Sequence, residues 1–176
     1  MQVVNRGFYT SYYDFLPEEE RVPLWQMLID GDWKFRQVLP EKHPDTWLWF
    51  RNIWQEEYFR NTFWNYVDKA TNHEYDLIYC HCQGQTFGQN NNWHQDCYDG
   101  VTHSLVYYPN LEWYPDWGGR LLISDIADPR NQVSVPPIPN SAVFFPAEYW
   151  HIADAVTSKT TALRVSISYK MRKKGI

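Results

Sequence analysis

The sequence predicts a mainly β fold, a jelly-roll core buttressed by α-helices, on three observations. From Glu74 onward the chain falls into short runs rich in β-branched and aromatic residues, turn-forming clusters separate those runs, and the part before Glu74 carries apolar residues at helical spacing instead.

In the front part, "LPEEERVPLWQMLIDGDW" sets acids early and Gly31 late, as a helix does, while Pro23 predicts a break or a helix start at that residue. Phe59, Phe63, Tyr66, Val67 and Ala70 then recur at helical spacing, which predicts an amphipathic helix from about Trp54 to Ala70 with its stripe packed on a sheet. The predicted strands follow: "YDLIYCHC", "THSLVYY", "RLLIS", "AVFF" and "LRVSISYK". Between them lie the turn signals "YDG", "YPN", "WGG", "DPRN" and "PPIPN". With no Gly/Ser linker, repeat or low-complexity block, residues 1–176 read as one domain, a helical support region at about 1–73 and a jelly-roll core at about 74–170.

Composition narrows the function classes. A chain of 176 residues with 44% apolar content fits one hydrophobic core. Its net charge of −5 repels phosphate, which argues against a nucleic-acid partner. The basic cluster "KMRKKGI" at the C-terminus reads as a solvated, frayed tail. Nothing near the start resembles a signal peptide and no apolar run is long enough to span a bilayer, so a soluble, cytoplasmic protein without a membrane partner is expected. Cys80, Cys82 and Cys97 make an odd set, expected as reduced thiols, with the "YCHCQ" pair buried on a strand rather than holding zinc.

The chemistry-bearing stretch is "NNWHQDCYDGVTHSLVYYPN". On an extended chain His94 and Asp96 point to one face while Gln95 points away, so an imidazole nitrogen and a carboxylate oxygen can reach one ion. Alone the pair is as compatible with an exposed polar bump. His151 in "FFPAEYWHIADAV" is the candidate third ligand, and two histidines with one carboxylate form the facial set that leaves positions open on non-haem iron(II). His43, His73, His81 and His103 have no comparable partners and read as surface or satisfied core histidines. Arg164, Ser166 and Ser168 share a strand face, presenting a fork-shaped cation with hydroxyls beside it, suited to a remote carboxylate of a dicarboxylic acid.

Taken in order, "WHQD", "SLVYYPN", "WGGRLLI", "VPPIPNSAVFFPAEYWHIADAV" and "RVSISY" resemble the Fe(II)/2-oxoglutarate-dependent oxygenases, in particular the prolyl-4-hydroxylase-like branch, over about Tyr75 to Lys170. The resemblance implies a double-stranded β-helix core, Fe(II) held by His94, Asp96 and His151, and 2-oxoglutarate held at its far carboxylate by Arg164 with Tyr108 and Ser168. It further implies O2 as co-substrate, ascorbate in support, and hydroxylation of a C–H bond with release of succinate and CO2. Gly118 and Gly119 match a double glycine that starts the next strand. Where the branch often has a pocket tyrosine, this chain offers Gln83, Gln85 or Phe87, and a longer gap between His151 and Arg164 predicts a bulged loop around "TSKTT". The implied substrate is a prolyl residue of a peptide or a small amino-acid-like molecule, with "FGQNNNW", "DCYDG" and "LEWYPDW" expected at the rim and no particular oligomeric state implied. A non-catalytic metal-binding module and a zinc-dependent hydrolase are the rival classes.

Overall fold

The computed structural model describes residues 1–37, 45–128 and 130–175. Strands β1 (Gln2–Asn5) and β2 (Thr10–Tyr13) open the chain, followed by helix α1 (Glu18–Ile29), β3 (Lys34–Gln37) and β4 (Trp47–Arg51). Helices α2 (Glu57–Arg60) and α3 (Thr62–Ala70) lead into β5 (Tyr75–Gln85), β6 (Thr102–Tyr108), β7 (Leu121–Ser124), β8 (Gln132–Val135), β9 (Ser141–Pro146), β10 (Trp150–Ala153) and β11 (Arg164–Lys173). An antiparallel eight-stranded sheet runs β1-β2-β9-β6-β11-β5-β4-β3, and a three-stranded sheet runs β10-β7-β8. The mainly β, jelly-roll class expected from the strand runs is the one observed.

Strand alternation explains the layers. Along β11, Val165, Ile167, Tyr169 and Met171 face one side, where they join Cys80 and Cys82 of β5, Leu105 and Tyr107 of β6, and the helix residues Leu24, Leu28, Phe59, Phe63 and Val67 in one core. On the other side, Val106 and Tyr108 of β6 and Val143 and Phe145 of β9 meet Leu121 and Ile123 of β7 in a second core between the two sheets. The stacked pair Phe63–Tyr169, with centroids 5.4 Å apart, ties α3 to the back of β11.

Several expectations need correction. The front region is not helical throughout, because β1 to β4 lie within it and extend the edges of the large sheet: β2 pairs with β9, β4 with β5, and β3 with β4. Runs as short and mixed as "KFRQ" carry too little alternation to stand out, and sheet pairing decides their conformation. The expected helix over 54–70 is two helices meeting at Asn61, whose φ of −117° and ψ of −72° depart from regular helix values, and Phe59 and Phe63, four residues apart on one face, both reach the core. Pro23 lies inside α1 without ending it: the carbonyl left unpaired belongs to Glu19, which is exposed and open to water. The C-terminal basic residues are not a frayed tail through Lys173, since β11 continues to that point and buries Met171 completely. Among the described residues no helix is long and apolar enough to cross a membrane.

Candidate functional site

A cavity of about 260 Å³ opens between the two sheets. Its floor is the β5–β11 pair, where the register sets Arg164 opposite Gln85, Ser166 opposite Gln83, Ser168 opposite His81 and Lys170 opposite Tyr79. Because period two sends these side chains to the face opposite the helices, one strand pair builds the core behind and the cavity in front.

His94 and Asp96 belong to no regular strand, yet their segment runs beside β10 as a strand would. The His94 and His151 backbones exchange N–H···O bonds of 3.0 and 2.9 Å, and the Asp96 amide donates to the Ala147 carbonyl at 2.8 Å. That pairing brings the imidazole centroids to 4.2 Å. Asp96 Oδ1 is 3.8 Å from His94 Nε2, and Asp96 Oδ2 is 3.7 Å from His151 Nε2. One ligand atom from each residue falls within 4.8 Å of the others, a cluster able to hold a metal ion.

The surroundings fix the donors. His94 Nδ1 is 2.7 Å from the Asn92 carbonyl and His151 Nδ1 is 2.9 Å from the Tyr149 carbonyl, so each Nδ1 carries the proton and each Nε2 offers its lone pair to the cavity. The Ser104 hydroxyl donates to Asp96 Oδ2 at 2.6 Å, and Lys170 Nζ stands 2.9 Å from Asp96 Oδ1. Burial alone would raise the Asp96 carboxyl; His151, Lys170, the Ser104 hydroxyl and His94 together outweigh it and hold that carboxyl well below the usual range. Burial pushes His151 down to about 4, against the pull of Asp96. A carboxylate and neutral imidazoles are the donor states a divalent ion requires.

Arg164, 1% exposed, occupies the other end of the floor. Its Nε donates to the Gly119 carbonyl at 3.0 Å and its Nη1 to Ser166 Oγ at 3.1 Å. The guanidinium carbon sits 5.1 Å from the Tyr108 ring centroid. Although the guanidinium and the Tyr108 hydroxyl feel each other electrostatically, their geometry falls short of a hydrogen bond, and both Arg164 Nη2 and Tyr108 Oη are buried without a protein partner. Two orphaned donors side by side, with Arg164 on the cavity lining, fit a carboxylate. Gly119 makes room for this arrangement: its φ is +67°, and a Cβ there would stand 3.1 Å from Arg164 Cγ.

Of the other residues singled out, Ser168 lines the cavity and Ser166 orients Arg164. Of the three stand-ins for a pocket tyrosine, Gln83 lines the cavity, Gln85 is pinned through Nε2 to the Gln89 carbonyl at 3.1 Å, and Phe87 is 63% exposed. The rim differs from expectation. Among the described residues the lining takes Asn91 from the first predicted loop, only Asp96 from the second and none from "LEWYPDW", while Arg36 of β3 and Phe50 of β4 contribute instead.

Histidines expected to be bystanders divide. His73 pairs with Asp68 at 2.6 Å on the surface, His103 stacks on Phe144 at 5.0 Å, and His43 lies outside the described residues. His81 lines the cavity, stacked between Phe50 and Tyr79 at 5.6 and 5.5 Å, with Nδ1 buried and without a partner. Its position was readable from the shared parity of Tyr79, His81 and Gln83 on β5. Burial pushes His81 down to about 4 from 6.5. Between those values the unfolded chain binds a proton that the folded chain refuses, so stability is complete above about pH 6.5 and falls as pH drops toward 4. Thermal unfolding of the metal-free protein is therefore expected to shift to lower temperature across that window, and His81→Phe, which keeps the stack, to make the shift shallower.

Residues 78–171 match the sequence profile of the 2OG-Fe(II) oxygenase superfamily. No curated protein matches the chain. Among solved structures, it is similar to a Pseudomonas putida prolyl-4-hydroxylase at 18% identity, covering 96% of this chain and 94% of that one with a TM-score of 0.72. A Trichoplax adhaerens prolyl hydroxylase in complex with a hypoxia inducible factor peptide fragment is similar at 16% identity, 97% and 86% coverage and a TM-score of 0.72. The non-heme alpha ketoglutarate dependent epimerase SnoN from nogalamycin biosynthesis follows at 12% identity, 96% and 78% coverage and 0.70. The structural likeness is one of fold, but the profile spans more than half of the chain, including all three members of the cluster and Arg164, and on that match the chain belongs to the 2OG-Fe(II) oxygenase superfamily.

Proposed function

We propose that this chain, acting as a single domain, is an Fe(II)- and 2-oxoglutarate-dependent dioxygenase that hydroxylates a C–H bond of a prolyl residue or a small amino-acid-like substrate. The observation that carries this reading is a three-residue metal-ligand cluster sharing one cavity with Arg164, whose orphaned Nη2, beside the orphaned Tyr108 hydroxyl, fits a carboxylate. His94 and His151 would hold iron through Nε2 and Asp96 through a carboxylate oxygen, with the Ser104 hydroxyl steadying that carboxylate. Arg164 and Tyr108 hold the far carboxylate of 2-oxoglutarate, Ser166 keeps the guanidinium in place, and Ser168 lines the passage between.

When bound, iron and 2-oxoglutarate supply the oxidising power: one atom of O2 enters succinate as CO2 leaves, and the other enters the substrate C–H bond. The chain's own residues orient both ends of the co-substrate and, with Val106, Leu121 and Phe145 around the site, restrict access of water. Prolyl specificity is suggested by the two prolyl hydroxylases of like fold, one of them bound to a peptide. A cytoplasmic setting agrees with three cysteines that are all free.

Succinate release from purified protein with Fe(II), ascorbate and 2-oxoglutarate, against proline peptides and free amino acids, is expected to require O2 and to rise with a true substrate. Turnover indifferent to both O2 and 2-oxoglutarate would instead fit a zinc hydrolase, and metal binding without co-substrate consumption a binding module.

A further inference from the structure

The cavity is cationic inside an acidic protein. Among the described residues its lining carries Arg36, Arg164 and Lys170 against one acid, Asp96, although the chain has a net charge of −5. Arg164 is deep, beside Tyr108, and serves the co-substrate. Lys170 lies on the same face of β11, roughly 20 Å along the extended strand, at the metal end. A five-carbon diacid gripped at Arg164 has no use for it.

The only ion-pair partner of Lys170 among the described residues is Asp96, at 2.9 Å. A divalent ion claims that same carboxylate, leaving an ammonium a few ångströms from a second cation in a half-closed space. Another anion at this place relieves the repulsion. Arg36 reaches the cavity from β3 with its guanidinium laid 3.9 Å over the Phe50 ring, which stacks in turn on His81, so its charge is held at the rim rather than free to wander.

Size constrains the occupant. The volume, about 260 Å³, lies below the ~300–1,000 Å³ common for sites of drug-sized ligands and must also admit the co-substrate. Anything paired with Lys170 is held within reach of a candidate iron ligand, so the C–H bond offered to the metal lies close to the anionic group.

Building on the oxygenase reading, we propose that Lys170, with Arg36 at the rim, binds the carboxylate of the substrate, and that the substrate is a small carboxylic acid such as a free amino acid, oxidised near that carboxylate. A prolyl residue within a peptide chain presents no carboxylate there.

The test is anaerobic calorimetry on the protein loaded with Mn(II) and 2-oxoglutarate, titrated with free L-amino acids and with the carboxamide of each. At least one acid is expected to bind about ten- to a hundredfold more tightly than its amide, the range for a hydrogen bond to a charged group. Lys170→Gln removes the preference and Lys170→Arg retains it. Lys170→Gln also tightens Mn(II), because a cation leaves the side of Asp96; looser Mn(II) binding would make Lys170 a positioning residue and overturn the assignment. It is equally overturned if no acid outperforms its amide, whether none binds or both bind alike, or if the preference survives in Lys170→Gln. A parent protein that binds neither Mn(II) nor 2-oxoglutarate refutes the oxygenase reading itself, and this assignment with it.

Discussion

Asp96→Ala is expected to abolish 2-oxoglutarate turnover and to weaken metal binding by more than the roughly 10–100-fold typical of losing a group that only orients a ligand. The carboxylate is the sole anion of the cluster, and it also accepts from Ser104 and pairs with Lys170. Its removal leaves two imidazoles facing an uncompensated ammonium, an environment that repels a divalent ion. Ser104→Ala, which only loosens Oδ2, should fall within the smaller range. Mn(II) titration of the two variants checks the order; equal affinities in Asp96→Ala and the parent would remove the basis for the metal assignment.

Arg164→Ala should separate the two ends of the cavity. Loss of one partner of a buried charge pair costs about 2–5 kcal/mol, which corresponds to roughly a thirtyfold to several-thousandfold higher Kd for 2-oxoglutarate. Mn(II) affinity should hold, since Arg164 touches Gly119, Ser166 and Tyr108 but no member of the metal cluster. Arg164→Lys is expected to fall between, retaining charge but losing the planar fork and the bonds from Nε and Nη1 that aim it. Calorimetry with 2-oxoglutarate decides, and an unchanged Kd in Arg164→Ala would show that the far carboxylate is gripped elsewhere.

What the sequence made legible was whatever is written in strand periodicity and residue type. His94, Asp96 and His151 stood out because their donor types share a chemistry, and Arg164 because its parity matched Ser166 and Ser168. The same parity includes Lys170, but a basic composition suggested a solvated end, and the signal that corrects this is Met171, an apolar residue continuing the buried face. For His81 the parity with Tyr79 and Gln83 was legible, but not that this face lines the cavity, because its partners Phe50 and Ser168 are distant in sequence and are set beside it only by β4–β5 and β5–β11 pairing. Arg36 and Phe50 lie on strands of four and five residues whose identity comes from long-range edge pairing, which no local pattern encodes. The rim was misplaced for the same reason, since loop-like composition does not say which loops lie near the opening.

The two-faced character of β11 has a consequence for how the chain can change. One residue inserted between Val165 and Tyr169 would turn everything beyond it over, sending aromatic and thioether groups into the reaction chamber and hydroxyl and ammonium groups against the helices. The one irregularity in its pairing with β5 falls after Lys170, past the last cavity residue, where Ile78 is skipped and remains exposed. Length changes in descendants of this chain should therefore accumulate on either side of the 164–170 stretch and spare it.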